Sequence, residues 1–336
     1  MNLIRRDSYF YIVSGILLIV SGISVILGVK LIYLEINFLK LTGLIFLFIG
    51  IIYTVFNLVG RLYISSRAAI VLTVSFIVLL ASITQIPLRE IEVSESYTAT
   101  LDEIKASRIR LLMSSTTGNI YVRSDNLGNL AYNLTIYKLR IPLFMEESKV
   151  TIINETIEDT FSLDIRTDSA DIVIVLNREI PATIDISTGT GNIYVSISDN
   201  SQIDLIKVES STGNVEFSIS NPISIRAYLS LTIGNLNFYS KLIDINSDCR
   251  FDIISQIGNI YMTVYVGEKV GCEISAKTDL GAINVLQKGF KAIETISPRS
   301  VHIVSENFEK AANRAQFIVE SSAGNINIEG IVEKGR

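Results

Sequence analysis

The chain has 336 residues, and 29 Lys and Arg against 34 Asp and Glu leave it at a net charge of −5. That balance argues against a nucleic-acid surface, because phosphate binding needs a basic stripe. No Trp, one His and two Cys remove most zinc, haem and Cys–His chemistry, so no cofactor and no catalytic metal are expected.

The mean hydropathy of +0.42 is carried by the front of the chain. Three apolar segments, near residues 10–28, 41–59 and 68–86, each have the roughly 19 residues that a helix needs to cross about 30 Å of hydrocarbon. No Asp, Glu, Lys, Arg or His falls within them, which reads as an anchor and not as a transport path. Residues 1–87 are therefore expected to form a three-helix transmembrane anchor, and residues 88–336 a second domain. Arg5, Arg6, Arg61 and Arg67 stand against Lys30, Lys40 and Arg89 on alternate sides. This bias keeps the N-terminus inside and puts the C-terminal domain outside the cell membrane. Sequons at Asn133 and Asn154 fit an outside location as glycosylation acceptors, although a chain rich in Ser, Thr and Asn supplies such triplets readily.

Pro87 ends the third apolar segment, and residues 91–101 alternate as a strand does. Beyond them one motif recurs. Gly118-Asn119-Ile120-Tyr121-Val122 is followed by relatives at Gly191, Gly213, Gly234, Gly258, Gly281 and Gly324, and from Gly191 to Gly281 the spacings are 22, 21, 24 and 23 residues. A fixed period in the twenties marks a solenoid. Positions seven and five before each Gly, and two and four after it, are apolar in every copy. Within each pair the offsets differ by two, which is strand alternation. Each coil therefore reads strand, Gly-Asn corner, strand, return. The Gly supplies a positive φ or a close approach, and the Asn either stacks into an amide ladder or serves only as turn chemistry.

A hidden coil lies at Ala170, with Leu163 and Ile165 before it and Ile172 and Ile174 after it. Residues 126–158 break the pattern and read as an inserted hairpin or lateral loop. Their apolar run at 140–145 is either a tucked strand or a partner patch. Residues 286–314 are also irregular, and a short helix is expected over 306–316.

Candidate sites follow from the stacking. Cys249 and Cys272 each stand nine residues before a Gly. Consecutive coils would bring them about 4.8 Å apart, within disulfide range, or leave them as two buried thiols. Tyr121, Tyr194 and Tyr261, three residues after their glycines, would form an outward binding stripe for a sugar or protein, interrupted by Glu216 and Asn237. Asp168, Asp171 and Asp185 near coil corners lack any calcium-ligand spacing and read as solvated turns. His302 is a lone histidine.

Repeated Ser/Thr-x-Gly-Asn-Ile-x-Val coils behind membrane helices resemble the toastrack, or adhesin-type, domains of bacteria and archaea, over roughly residues 95–331. Such domains occur in membrane-stress proteins of the phage-shock and Lia types. The resemblance implies a membrane α plus all-β chain in which a single-chain β-solenoid of about 22-residue coils follows the anchor. It carries over no catalytic residue. The expected role is a non-enzymatic envelope interaction, adhesion or scaffold module, with a membrane-stress sensor or regulator as the alternative. Expected partners are the lipid bilayer, an envelope protein or glycan, and a second copy of the chain. A polysaccharide-acting enzyme is suggested by solenoid architecture alone.

Overall fold

The computed structural model describes residues 91–140, 148–293 and 297–333. The three apolar segments of the anchor, and positions 141–145 of the apolar run, lie outside the described residues. No described helix is long and apolar enough to cross a membrane.

In chain order, β1 (Ile91–Thr100) leads into one turn of helix, α1 (Leu101–Ile104), which Thr100 and Glu103 close with a reciprocal capping box. There follow β2 (Arg108–Thr117), β3 (Ile120–Asp125), β4 (Leu130–Arg140), β5 (Val150–Ile157) and β6 (Thr160–Asn177). The central repeats are β7 (Ala182–Thr190), β8 (Ile193–Ile197), β9 (Gln202–Thr212), β10 (Val215–Ser220), β11 (Ser224–Ile233), β12 (Leu236–Leu242), β13 (Cys249–Ile257) and β14 (Ile260–Gly267). The chain closes with β15 (Val270–Leu280), β16 (Ile283–Lys288), β17 (Phe290–Ala292), β18 (Ser300–Ser305), β19 (Asn313–Ala323) and β20 (Ile326–Glu333).

Each coil gives one strand to each of two parallel sheets, joined at the Gly corner. Sheet A runs β1, β4, β6, β3, β8, β10, β12, β14, β20, β16, and sheet B runs β5, β6, β2, β7, β9, β11, β13, β19, β15, β18, β17. The β6 strand is long enough to serve both, bending near Ala170, which takes the Gly place of the hidden coil.

The four apolar columns face inward between the sheets. All their members except Val285 are at most 7 % exposed, and Val285 lies on the end coil, where no further coil covers it. At the wide middle of the core, Phe251 and Phe317 stack at 4.7 Å and Phe217 and Phe238 at 5.4 Å. Phe238 meets Phe251 and Phe317 edge-on. Burying a side chain of this size contributes about 1.5–3 kcal/mol, and no single coil could do so alone.

The coils do not stack in chain order. Register places β2 between β6 and β7, and β19 between β13 and β15. By their corner residues the order in space is 170, 118, 191, 213, 234, 258, 324, 281. The reason is that every coil presents the same apolar columns, so the pattern fixes which face is buried and leaves open which coil is the neighbour. The chain enters one coil in from one end, reaches the end, skips back, and repeats the manoeuvre at the far end.

Two expectations are thereby corrected. The insertion at 126–158 is no free lateral loop: β4 and β5 pair antiparallel with the two halves of β6 and cap both sheets. Residues 306–316 form no helix: a turn leads into β19, because Ala315, Phe317 and Val319 must alternate inward at the register of Cys249, Phe251 and Ile253.

At Gly213 φ is +140° and an added Cβ would lie 2.0 Å from the Gly191 carbonyl oxygen, whereas at Gly128 it would meet open space. Gly213→Ala should therefore cost several kcal/mol, against about 1 kcal/mol for Gly128→Ala. Ile193→Asp should likewise cost several kcal/mol and Tyr194→Ser under about 1 kcal/mol. Denaturant melts of the four variants check both contrasts, and equal losses within either pair would refute the assigned faces.

Candidate functional site

The corner is where the sequence motif becomes structure. The Asn119 backbone N–H donates to the Asp171 carboxylate at 2.7 Å, and the Asn192 N–H donates to the Asn119 side-chain oxygen at 2.9 Å. The same bond links Asn214 to Asn192, Asn235 to Asn214, Asn259 to Asn235 and Asn325 to Asn259. It ends at Ala282, whose N–H donates to the Asn325 side chain at 3.0 Å. Both readings of the Asn are thus partly right: it is a ladder, but of side-chain oxygen to main-chain N–H. The two departures from Asn fall at the two ends. Asp171 begins the ladder and only accepts, so a carboxylate serves. Ala282 finishes it and only donates, so no polar side chain is needed.

One buried column escaped the sequence reading. Ser115, Thr167, Thr188, Ser210, Ser255, Thr278 and Ser321, each three residues before a corner, are at most 6 % exposed. Thr188 and Thr278 donate to the carbonyls of Gly118 and Gly324, while the hydroxyls of Ser115, Thr167, Ser210, Ser255 and Ser321 have no hydrogen-bond partner. Small side chains predominate there, where the two sheets converge on the corner. The signal was visible as a Ser or Thr in all but one coil, where Leu231 stands.

The two outer faces differ in chemistry. Sheet B presents interleaved charges, among them Lys207 with Glu209 and Arg250 with Asp252. Sheet A presents mainly tyrosines, amides and hydroxyls, with Arg123, Glu216, Lys241 and Glu329 among them. Tyr121 and Tyr194 lie in register on β3 and β8 and stack at 4.7 Å with 4° between ring planes. Burial, and then the neighbouring Tyr194 and Asp171, push the Tyr121 phenol upward. Glu216, Asn237 and Tyr261 continue the same row on β10, β12 and β14. Further along the strands, Tyr239, two residues on in β12, and Tyr265, four on in β14, approach diagonally at 5.7 Å. Tyr121, Tyr239 and Tyr261 are 37 %, 41 % and 46 % exposed. The three predicted tyrosines therefore share one face, two in contact and the third three strands away, with Glu216 and Asn237 as a lower floor between.

The predicted cysteine pair is not formed. Cys249 and Cys272 are free and buried. Each is in register with Ala315, one on either side of β19. Two strand spacings, about 9.6 Å, exceed the Cα separation a disulfide spans. The intervening coil comes from the chain's end, which consecutive stacking could not foresee. Asp168, Asp171 and Asp185 are not brought together: Asp171 is committed to the ladder, and Asp185 lies on β7 in sheet B. Among the described residues no cluster of three or more His, Cys, Asp or Glu has a metal-site arrangement. His302 Nε2 lies 2.8 Å from Glu273 Oε1, which also accepts from Gln316 through Oε2, so the lone histidine joins β18 to β15. The sequon residues Asn133 and Asn154 are both exposed, on the capping strands β4 and β5.

No family model matches this sequence, and no curated protein matches it. Among solved structures, a "putative cell adhesion protein" from Clostridium sporogenes is similar at 18 % identity and a TM-score of 0.44, covering 71 % of this chain and 99 % of that one. A "putative adhesin" from Bacteroides fragilis follows at 14 % identity and a TM-score of 0.29, covering 72 % and 98 %.

Loss of one rung should be local and measurable. Asn192→Ala should cost about 1–2 kcal/mol by orphaning the Asn214 N–H, and Ala282→Ser should stay within about 0.5 kcal/mol. Chemical denaturation checks the pair, and an equal cost at Ala282 would show that the ladder does not end there. The thiols give a pH test. Burial pushes Cys249 up to about 11 from an ordinary 9.0 and raises Cys272 well above its ordinary value. The unfolded chain thus releases these protons first, and stability should fall as pH rises from about 9 to about 11, by roughly 1.4 kcal/mol per pH unit per thiol. In Cys249→Ala the slope should be shallower by one thiol's share, and an unchanged slope would refute the assignment.

Proposed function

We propose that the chain is a non-enzymatic, membrane-anchored β-solenoid that offers the outer face of sheet A to an envelope protein or glycan. The observation that carries the reading is the contrast between the two faces. Sheet B carries densely interleaved charges, several of them ion-paired within the sheet. Sheet A carries exposed tyrosines, Asn, Ser and Thr with a thinner scatter of charges, Arg123, Glu216, Lys241 and Glu329 among them, and aromatic and amide groups of this kind suit amphipathic contact surfaces. The apolar segments at 10–28, 41–59 and 68–86 would form the anchor. The Lys and Arg bias of the short loops supports an outside solenoid, where the exposed Asn133 and Asn154 could be glycosylated.

Two experiments test the halves of this proposal separately. With a C-terminal tag, protease treatment of intact cells should remove the tag, whereas protection until lysis would place the solenoid inside. A photo-crosslinking residue at Tyr194 or Tyr261 should capture a reproducible partner in intact cells, and one at Tyr228 on sheet B should not. Equal capture from both sheets, or none from sheet A, would overturn the assigned face.

A further inference from the structure

Stacked sheets must end somewhere, and each end strand offers unpaired N–H and C=O groups unless something covers or discourages pairing. Three of the four edges in this fold are managed. The edge of sheet A at β1 carries Glu95, ion-paired to Lys138 on β4. The edge of sheet B at β5 exposes Ile153 and Ile157 but carries its charge, Glu155, within the strand beside the Asn154 sequon, and its other edge is the three-residue β17 with Lys291.

The fourth edge, β16, is different. Its only strand partner among the described residues is β20. Its sequence Ile-Asn-Val-Leu-Gln-Lys has a single charge, at the last position. The Ile283 N–H points away from β20 and donates to the Pro298 carbonyl at 2.8 Å. By the alternation of a parallel ladder, the N–H and C=O of Val285 and Gln287 point the same way, and among the described residues neither has a hydrogen-bond partner on that side. On this coil Leu286 and Leu280 are 67 % and 65 % exposed, the most of any large apolar side chain among the described residues. The corner row leading to it, Ile233, Ile257, Ala323 and Leu280 in successive register, is apolar where the opposite half of the stack has Thr190 and Thr212.

We propose that β16 pairs antiparallel with β16 of a second copy of this chain, joining sheet A of two subunits into one continuous sheet. The strand is complementary to itself. Centred on Leu286, the pairing sets Val285 opposite Gln287, the two residues whose peptide groups face outward, so both exchange hydrogen bonds. It sets Lys288 opposite Asn284, so no like charges meet. It also keeps outer face against outer face, with the two Leu286 side chains as a close, non-hydrogen-bonded pair. A two-fold axis perpendicular to the sheet generates this arrangement, as an isologous contact requires. Two tyrosine faces then lie on one side of the assembly, and a partner with repeated sites would bind both with the gain of bivalency.

The test uses the full-length chain in detergent micelles. Under mild oxidation Leu286→Cys should give a disulfide-linked dimer, since Cβ atoms of such a pair lie about 4.5–5.5 Å apart. Native Cys249 and Cys272 are buried and should give no background. Ser196→Cys, exposed on the same face, should not exceed the wild type. Separately, Val285→Pro removes the outward N–H in each copy, together with an inward side chain at the open end of the core, and Val285→Ala removes the side chain alone. Val285→Pro should weaken self-association by about 10- to 100-fold in sedimentation relative to Val285→Ala. Cross-linking of Leu286→Cys no greater than that of Ser196→Cys would overturn the proposal, as would a folded Val285→Pro protein that associates like Val285→Ala.

Discussion

At each corner of this solenoid the backbone of one coil rests on the carbonyl of the next, too closely for any Cβ. The separation an added carbon would have, between 1.6 and 2.1 Å at the seven motif glycines, is far below contact distance, and φ is positive at all of them. That approach brings the next residue's N–H within reach of the Asn side chain behind it. It also makes the sheets converge, and the adjoining inward position takes Ser or Thr in every coil but the one with Leu231. Motif, ladder and hydroxyl column are three consequences of one steric condition. Ala170 is the exception that fits, since it occupies the end coil, where no further corner has to approach from outside.

A stack of near-identical units needs instructions for stopping as well as for growing. Here the instructions are chemical and topological. Asp171 can start the ladder, Ala282 cannot extend it, and antiparallel strands close both sheets at one end and sheet B at the other. The skipped order of coils serves the same purpose. It keeps the first and last coils of the chain inside the stack, where both faces of each are paired, and assigns the end positions to coils whose flanking segments are long enough to fold back as caps. The one strand left without such treatment, β16, stands out against this background.

The surfaces divide the remaining labour. Charge pairs on sheet B are exposed and contribute little each, and they hold one another along the sheet. On sheet A the stacked Tyr121 and Tyr194, with Tyr239, Tyr261 and Tyr265 beyond them, form a rigid field whose polar tips remain free. Rigid aromatic groups lose little conformational freedom on contact, which supports the contact role proposed for this face.

By itself the sequence determined the repeat, the buried columns, the corner glycines, the hidden coil at Ala170 and the shared face of the three tyrosines. All of these depend on local periodicity: a two-residue alternation fixes which side chains point inward whatever lies above or below. It did not determine neighbours. Whether Cys249 meets Cys272 depends on which coil lies between them, and identical columns make every coil an acceptable neighbour. Only the tertiary structure decided that β19 intervenes, that β2 follows β6 in space, and that 126–158 caps both sheets. The same holds for Ala282, an apparent lapse in the motif until its place at the end of the ladder is known. Side-chain direction is a property of the strand, whereas adjacency is a property of the stack.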